Sequence, residues 1–520
     1  MERYRPLFYS MNFFRRKFIY WDMDISRENK LLLCICFCFF FYLVFLQAVK
    51  AERTPEHTEG LESAAAEQLL EQEQQLYWQS EAESASESTG AMAETDEKDT
   101  GTGDGAELTG SVGGEAYQPP LIRVLLTDNR RSGYLQERVT VTSECAVRIE
   151  GTDQIIEAGS SAVFEAGDPR FADGKIVLTP ENPSVGIQVT SLEKAQGAPV
   201  YEGSLEICSA EQGIYLVNAV DLETYLKYVV PSEMPASYAA EALKAQAVCA
   251  RTYACRQMAD SSLEEYHADV DDSVSYQVYN NIMRQATTDQ AVDATAGQIM
   301  TCGGEPIIAY FFSTSCGYTS TDEVWSGSDA EGYLKSVYLG SDEREDVQTE
   351  EVFASFIRQK DASDLEAEDG WYRWSVTIPV DVLEQRTSDR GIGKLQSMEV
   401  LERSSGGAAS ALRVTGSQGS FVLENEYDIR ELLSVKGIPV TKNDGTVTDE
   451  MYLLPSAYFI CSAVYDGENL TGFSFVGGGY GHGVGMSQNG ASHLADQGLE
   501  WHEILSYFYE NIQIETIDGE

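Results

Sequence analysis

The stretch VVPSEMPASYAAEALKAQAVCARTYA, residues 229–254, sets one carboxylate, Glu233, between two prolines and runs on into an alanine-rich segment. Pro231 and Pro235 restrict the backbone on either side of Glu233, and Pro235 suits the first turn of a helix. The spacing therefore predicts a helix from about Pro235 with Glu233 just ahead of it, where the helix dipole favours a charged carboxylate. Alanines at 236, 239, 240, 242, 245, 247, 250 and 254 let another element approach that helix closely. Lys244 and Arg251 share one of its faces; Gln246 and Tyr253 share a different one. Spacing alone leaves two readings of Glu233. It is a surface acid in an ordinary ion pair, or a general acid kept protonated by burial and fixed by its prolines.

Outward from this point the chain changes texture several times. Residues 119–203 hold short β-type runs (IRVLLT, RVTVTS, AVRIEG, KIVLTP) separated by Gly, Asp and Asn, which predict an antiparallel β-rich part. Residues 204–516 mix strands with helices in no regular alternation, so the expected class is α+β. A long Ala-rich helix and C-terminal helices are its expected features. Upstream, LLLCICFCFFFYLVFLQAV, residues 31–49, has nineteen residues and no charge, enough to span a bilayer as a helix. Arg and Lys crowd residues 1–30, so the positive-inside rule places that segment in the cytoplasm and the rest outside. A cleaved signal peptide is the competing reading; the long basic lead and the length of the apolar run favour an uncleaved single-pass anchor. Residues 50–118 read as a disordered acidic linker: from 51 on they carry seventeen Asp and Glu against Arg53 and Lys98.

The whole chain has 520 residues and a formal charge of −48, which argues against nucleic acid as a partner. Its 43% apolar content suffices for a core. Three of the ten cysteines lie in the apolar run and seven are scattered beyond it. Buried free thiols are one reading of these seven; a Cys302–Cys316 disulfide or metal clip is the other.

Several motifs together resemble the stage II sporulation protein D family, also called the SpoIID/LytB domain. They are YLKYVVPSEMPASYAAEALKAQAVCARTYA, YHADVDDSVSYQVYNN, AYFFSTSCGYTSTDEVW, YLKSV and GGGYGHGVGMSQNGASHLADQG, spread over roughly residues 120–515. The resemblance implies a bacterial cell-wall protein and, for its sporulation members, a lytic transglycosylase. Such an enzyme cuts glycan strands between N-acetylmuramic acid and N-acetylglucosamine and leaves 1,6-anhydromuramic ends. The family's catalytic Glu falls on Glu233, and a single acid/base is enough for this chemistry. The implied partners are peptidoglycan glycan strands and a cell-wall amidase, in engulfment during sporulation. LytB-type members, which enhance an amidase without cutting, supply the alternative function: a peptidoglycan-binding activator.

Lys244, Gln246, Arg251 and Tyr253 match the first motif and are expected to bind substrate, with Lys244 and Arg251 alternatively pairing with nearby acids such as Glu241. Ser313 and Thr314 are expected in the substrate groove. In the Gly-rich motif, His482, Ser487 and Gln488 are the polar groups expected to face a cleft. Free N–H groups at a helix starting near Ser487 offer a place for a carboxylate or acetamide oxygen; a purely structural turn is the other reading. His482, His493 and His502 are spaced by eleven and nine, which fits no metal motif. No cofactor is expected: the resemblance implies a zinc partly bound by cysteines, but Cys316 has no neighbouring histidine. The sequence RSSGG, residues 403–407, departs from the family, which commonly has Arg where Gly407 stands.

Overall fold

The computed structural model describes residues 117–517, apart from 129–132, 172–173, 261, 274, 281, 327–330 and 341–345. The apolar run 31–49 and almost all of the acidic linker lie outside the described residues. Among those described, no helix is long and apolar enough to cross a membrane.

The alternating runs after residue 119 form sheets. A seven-stranded sheet has the order Val270–Asp271, Leu121–Leu126, Gly213–Asp221, Ser204–Ala210, Lys175–Pro180, Val147–Ile149, Ile155–Ile156. Its neighbours are antiparallel, with Leu121 opposite Asp221 and Leu126 opposite Leu216, except that Val270–Asp271 runs parallel to Leu121–Leu126. A four-stranded sheet, Ser161–Glu165, Arg138–Thr142, Ile187–Val189, Val200–Tyr201, packs with it. Val139, Val141 and Phe164 from the smaller sheet share one core with Ile122, Leu205 and Ile207 from the larger. Burying each such side chain contributes about 1.5–3 kcal/mol. Ser204–Ala210 and Gly213–Asp221 are central to the first sheet, which pairs strands from both sides of residue 203.

The strand Gly213–Asp221 passes directly into the helix Leu222–Glu233, whose N-cap Asp221 accepts a hydrogen bond from Thr224 N at 2.9 Å. Residues 235–239 make a turn, and the alanine-rich helix starts only at Ala240 and runs to Met258. Its small side chains do admit close neighbours: Ala242, Ala245 and Val248 are fully buried in a second core with Ala491, Leu494, Ile504 and Phe508. Those partners come from the C-terminal helices Gln488–Asp496 and Trp501–Phe508. A third core joins a five-stranded sheet to the three-stranded sheet Leu395–Arg403, Ala409–Gly416, Gly419–Leu423. In the five-stranded sheet, Trp374–Pro379 lies between Val440–Lys442 and Asn469–Gly477. The described part is thus α+β and rich in strand.

Candidate active site

Glu233 is the last residue of the helix Leu222–Glu233, not the lead-in to the next one. Pro231 lies inside this helix, in its final turn, and Met234 ends it in an extended conformation with its N–H on Val230 O. Pro235 breaks the chain rather than starting a helix. The dipole argument therefore reverses: a helix C-terminus disfavours a negative charge there. Only 6% of Glu233 is exposed, and its Oε1 accepts a hydrogen bond from Val278 N at 2.8 Å. Val278 belongs to the loop after Val270–Asp271, and this loop is itself clamped. Gln277 Nε2 donates to Ala250 O at 3.3 Å, and its Oε1 accepts from the Tyr225 hydroxyl at 3.3 Å.

Tyrosines surround this carboxylate. Burial and then the charge of Glu233 push the Tyr225 phenol well up. Burial does most to raise the phenol of Tyr253, with Tyr310, Tyr276, Glu233 and Asp271 adding to it. Tyr253 is only partly buried, so its face of the alanine-rich helix does reach the neighbourhood of Glu233. The two nearest acids of the loop are committed elsewhere. Asp271 accepts from Tyr134 Oη and from Ser273 N and Oγ, and Asp272 from Thr127 and the Lys194 ammonium at 2.6 Å.

Gln488 reaches the same place from the C-terminal side. Its Nε2 donates to the backbone carbonyl of Glu233 at 2.8 Å and to Gln246 Oε1 at 3.3 Å. Gln246 is fully buried, and its own Nε2 has no acceptor within reach. The glycine run ahead of Gln488 binds protein, not an open cleft. Gly479 N donates to Trp371 O, Tyr480 N to Thr314 O and Gly481 N to Pro455 O, at 2.8–3.0 Å. Gly485 has φ +77°, and a Cβ there would lie 2.0 Å from Tyr310 O, so only glycine fits.

The helix start expected to offer free amides is already capped. Ser487 Oγ accepts from Gly490 N, and Asn489 N donates to Ser313 O at 3.0 Å. Ser313 and Thr314 brace this start: their hydroxyls meet at 3.0 Å, and Thr314 Oγ1 accepts from Asn489 Nδ2 at 3.1 Å. His482 is a structural imidazole. Its Nδ1 accepts from Val484 N, leaving Nε2 as the donor to Phe311 O at 3.0 Å, and burial pushes it down to about 4. Arg251 is fully buried and holds Glu223 through two hydrogen bonds of 2.8 and 2.7 Å, with further bonds to Val292 and Gln298 carbonyls. Lys244 pairs with Glu241 at 2.6 Å, the acid that also receives Trp501 N. Arg251 therefore ties the alanine-rich helix to its neighbours, whereas Lys244 pairs within that helix and stays partly exposed.

A profile of stage II sporulation proteins matches residues 210–302, which contain Glu233, its helix and the Val278 loop. Residues 319–485 match a domain family of unknown function. Stage II sporulation protein D of Bacillus subtilis (strain 168) is 30% identical over 317 residues, 58% of this chain and 77% of that protein. The chain belongs to the stage II sporulation protein D family. The same-named protein of Bacillus amyloliquefaciens is 28% identical over 350 residues, 64% of this chain and 83% of its own length. A protein named amidase enhancer, also from Bacillus subtilis (strain 168), is 28% identical over 295 residues; the match spans 55% of this chain but only 39% of that protein.

Among the described residues no three His, Cys, Asp or Glu side chains converge, and all seven described cysteines are free thiols, Cys302 and Cys316 included. Cys316 is fully buried, and burial pushes its thiol up to about 12, the opposite of what a thiolate ligand needs. At Gly407 the departure from the family pattern has a steric reason: φ is +94° and a Cβ would sit 2.6 Å from the Phe353 ring.

Sequence reading missed a second buried acid altogether. Glu366 is fully buried and accepts hydrogen bonds from Ser315 N at 3.0 Å, from Ser315 Oγ and from Ser487 Oγ at 2.6 Å. Burial and then the charge of Asp369 push it up to about 7, and Asp369 in turn pairs with His493 at 3.1 Å. Its three donors come from two residues far from it in sequence, Ser315 and Ser487, so no local spacing marks it.

Proposed function

We propose that this chain is a peptidoglycan lytic transglycosylase with Glu233 as its only acid/base. The observation that carries the reading is one carboxylate, all but 6% buried at a helix end, held at one oxygen by Val278 N. The nearby acids Asp271 and Asp272 are occupied by structural hydrogen bonds. A glycosidase that uses water or an enzyme nucleophile needs two carboxylates astride the bond. Here Glu233 protonates the leaving O4 of N-acetylglucosamine as the C1–O4 bond of muramic acid breaks. The muramic C6 hydroxyl then attacks C1, its proton passes to Glu233, and the acid is restored as the anhydro ring closes. The tyrosine-rich surroundings keep the carboxyl away from bulk water until the glycan enters. Tyr253 lines the approach, and Gln488 holds the Glu233 main chain in place. The uncharged run 31–49 anchors the chain in the membrane with residues 1–30 in the cytoplasm, and the acidic linker lets the enzyme reach the wall outside.

The likeness to an amidase enhancer, with Arg251 committed inside the fold to Glu223, favours a second reading. In it the chain binds glycan and stimulates an amidase without cutting. Mass spectrometry of muropeptides from amidase-treated and untreated peptidoglycan separates the two. Anhydromuramic ends released by wild type but not by Glu233→Gln support the enzyme. No fragments from either protein, with amidase turnover raised by both, supports the activator.

A further inference from the structure

A cleft of about 360 Å³ opens on the third core, between the end of the helix Glu350–Ile357 and the strands Trp374–Pro379 and Val440–Lys442. Eleven residues line it. Four of them are Arg358, Lys360, Arg373 and Lys442, and none is Asp or Glu. In the chain as a whole there are 36 Lys and Arg among 520 residues, against 84 acids. Four cations in eleven lining positions therefore concentrate positive charge where the chain's composition runs the other way.

The usual explanation of a basic cluster is that acids neutralise it, and here they do so only in part. Arg373 spends its donors on carbonyls and a phenol: Gln359 O at 2.9 Å, Cys316 O at 2.7 Å, Tyr372 O at 2.8 Å and Tyr372 Oη at 3.2 Å. Its guanidinium also stacks on the Tyr372 ring at 3.9 Å. Arg358 gives one bond to Ala354 O at 3.0 Å and is otherwise exposed. Lys442 lies 4.7 Å from the Trp371 ring centroid, with Asp444 near enough in space to feel its charge but not in contact. Among the described residues Lys360 alone of the four has an ion pair, 3.4 Å to Glu368, whose side chain is 83% exposed. No described carboxylate pairs with the other three. A cleft lined by one sign of charge focuses its field on whatever enters.

We propose that this cleft is a binding site for a multivalent anion, the phosphate or carboxylate groups of an anionic wall polymer. Arg373 is fixed by its carbonyls and its stacking and supplies a rigid positive floor. Arg358, Lys360 and Lys442 keep donors for the ligand's oxygens, and Ser375 and Thr441 line the wall beside them. The site is tied to the Gly-rich motif from below. Trp374 Nε1 donates to Gly479 O at 3.0 Å, and Trp371 stacks on Tyr480 with ring centroids 5.1 Å apart. Glu233 is not among the lining residues.

Titration calorimetry on the full chain at low ionic strength tests this, with inorganic tripolyphosphate, citrate and neutral N-acetylglucosamine oligomers as probes. The proposal expects binding of at least one anion, weakening as salt is added. Lys360→Gln/Lys442→Gln is expected to lower that affinity by roughly tenfold, about 1.4 kcal/mol. Arg138→Gln/Arg413→Gln removes the same net charge elsewhere and is expected to change nothing. Preference for tripolyphosphate assigns a phosphate polymer and preference for citrate a carboxylate one. The proposal fails if neither anion binds, or if both double variants bind as wild type does while melting normally.

Discussion

Glu233 and Glu366 are both buried acids, and the difference between them shows how burial can serve chemistry or structure. Glu366 is sealed: fully buried, it takes three donors across both oxygens and thereby joins the 313–315 segment to the start of the helix Gln488–Asp496. Glu233 keeps 6% exposure at a helix end, beside the partly buried Tyr253. A carboxyl closed in by donors stabilises the fold in one arrangement, whereas the acid/base proposed at Glu233 has to meet a substrate.

The largest expected effect breaks the chemistry alone. Glu233→Gln keeps the Val278 hydrogen bond but removes the acid, so anhydromuramic product should fall by roughly 10²–10⁴-fold. Its melting temperature should stay close to that of wild type, as scanning calorimetry would show.

Next comes a contrast between two cations that the sequence placed on one face. Arg251→Ala leaves Glu223 half-enclosed without its bidentate partner and should cost about 3–5 kcal/mol in denaturant unfolding. Lys244→Ala removes a partly exposed pair with Glu241 and should cost less than about 1 kcal/mol. Equal losses would mean that Arg251 is not the internal brace described here.

The subtlest effect sharpens the comparison of the two acids. Glu366 sits at about 7 in the fold against an ordinary 4.5, so the folded state prefers it protonated. Its contribution to stability is complete below about 4.5 and is lost as pH rises through about 7. His493, raised chiefly by its hydrogen bond to Asp369, acts in the same direction. Melting temperature should therefore drop across this window, and Glu366→Gln should flatten the drop. An unchanged slope in the variant would remove Glu366 as its source.

These contrasts also mark what the sequence could reveal. The antiparallel strands after residue 119 were legible because their alternation matches one buried face, as in Lys175–Pro180. The alanine-rich helix was legible, but its start was not. Pro235 has the chemistry of a helix start, yet the preceding helix already runs through Pro231 to Glu233. Pro231 gives up an N–H bond to the carbonyl four residues back and sets its ring against that carbonyl, and the helix ends two residues later. Glu233 itself was found by motif. Its environment was not, because Val278 and Gln488 come from a loop and a helix start 45 and 255 residues away. His482 and Ser487 misled for a related reason: polar side chains among glycines suggest a cleft, while here they satisfy buried main-chain groups and Glu366. Glu366 was one acid among 84, with no pattern to single it out.

In the proposed reaction one acid suffices because no water takes part. Wild-type protein should be incubated with amidase-treated glycan strands in ¹⁸O-labelled water and the new muramic ends read by mass spectrometry. Anhydro ends without label are expected, since the oxygen joined to C1 is then the sugar's own. Reducing ends carrying one labelled oxygen would mean that water attacks C1, and that a second group besides Glu233 must activate it.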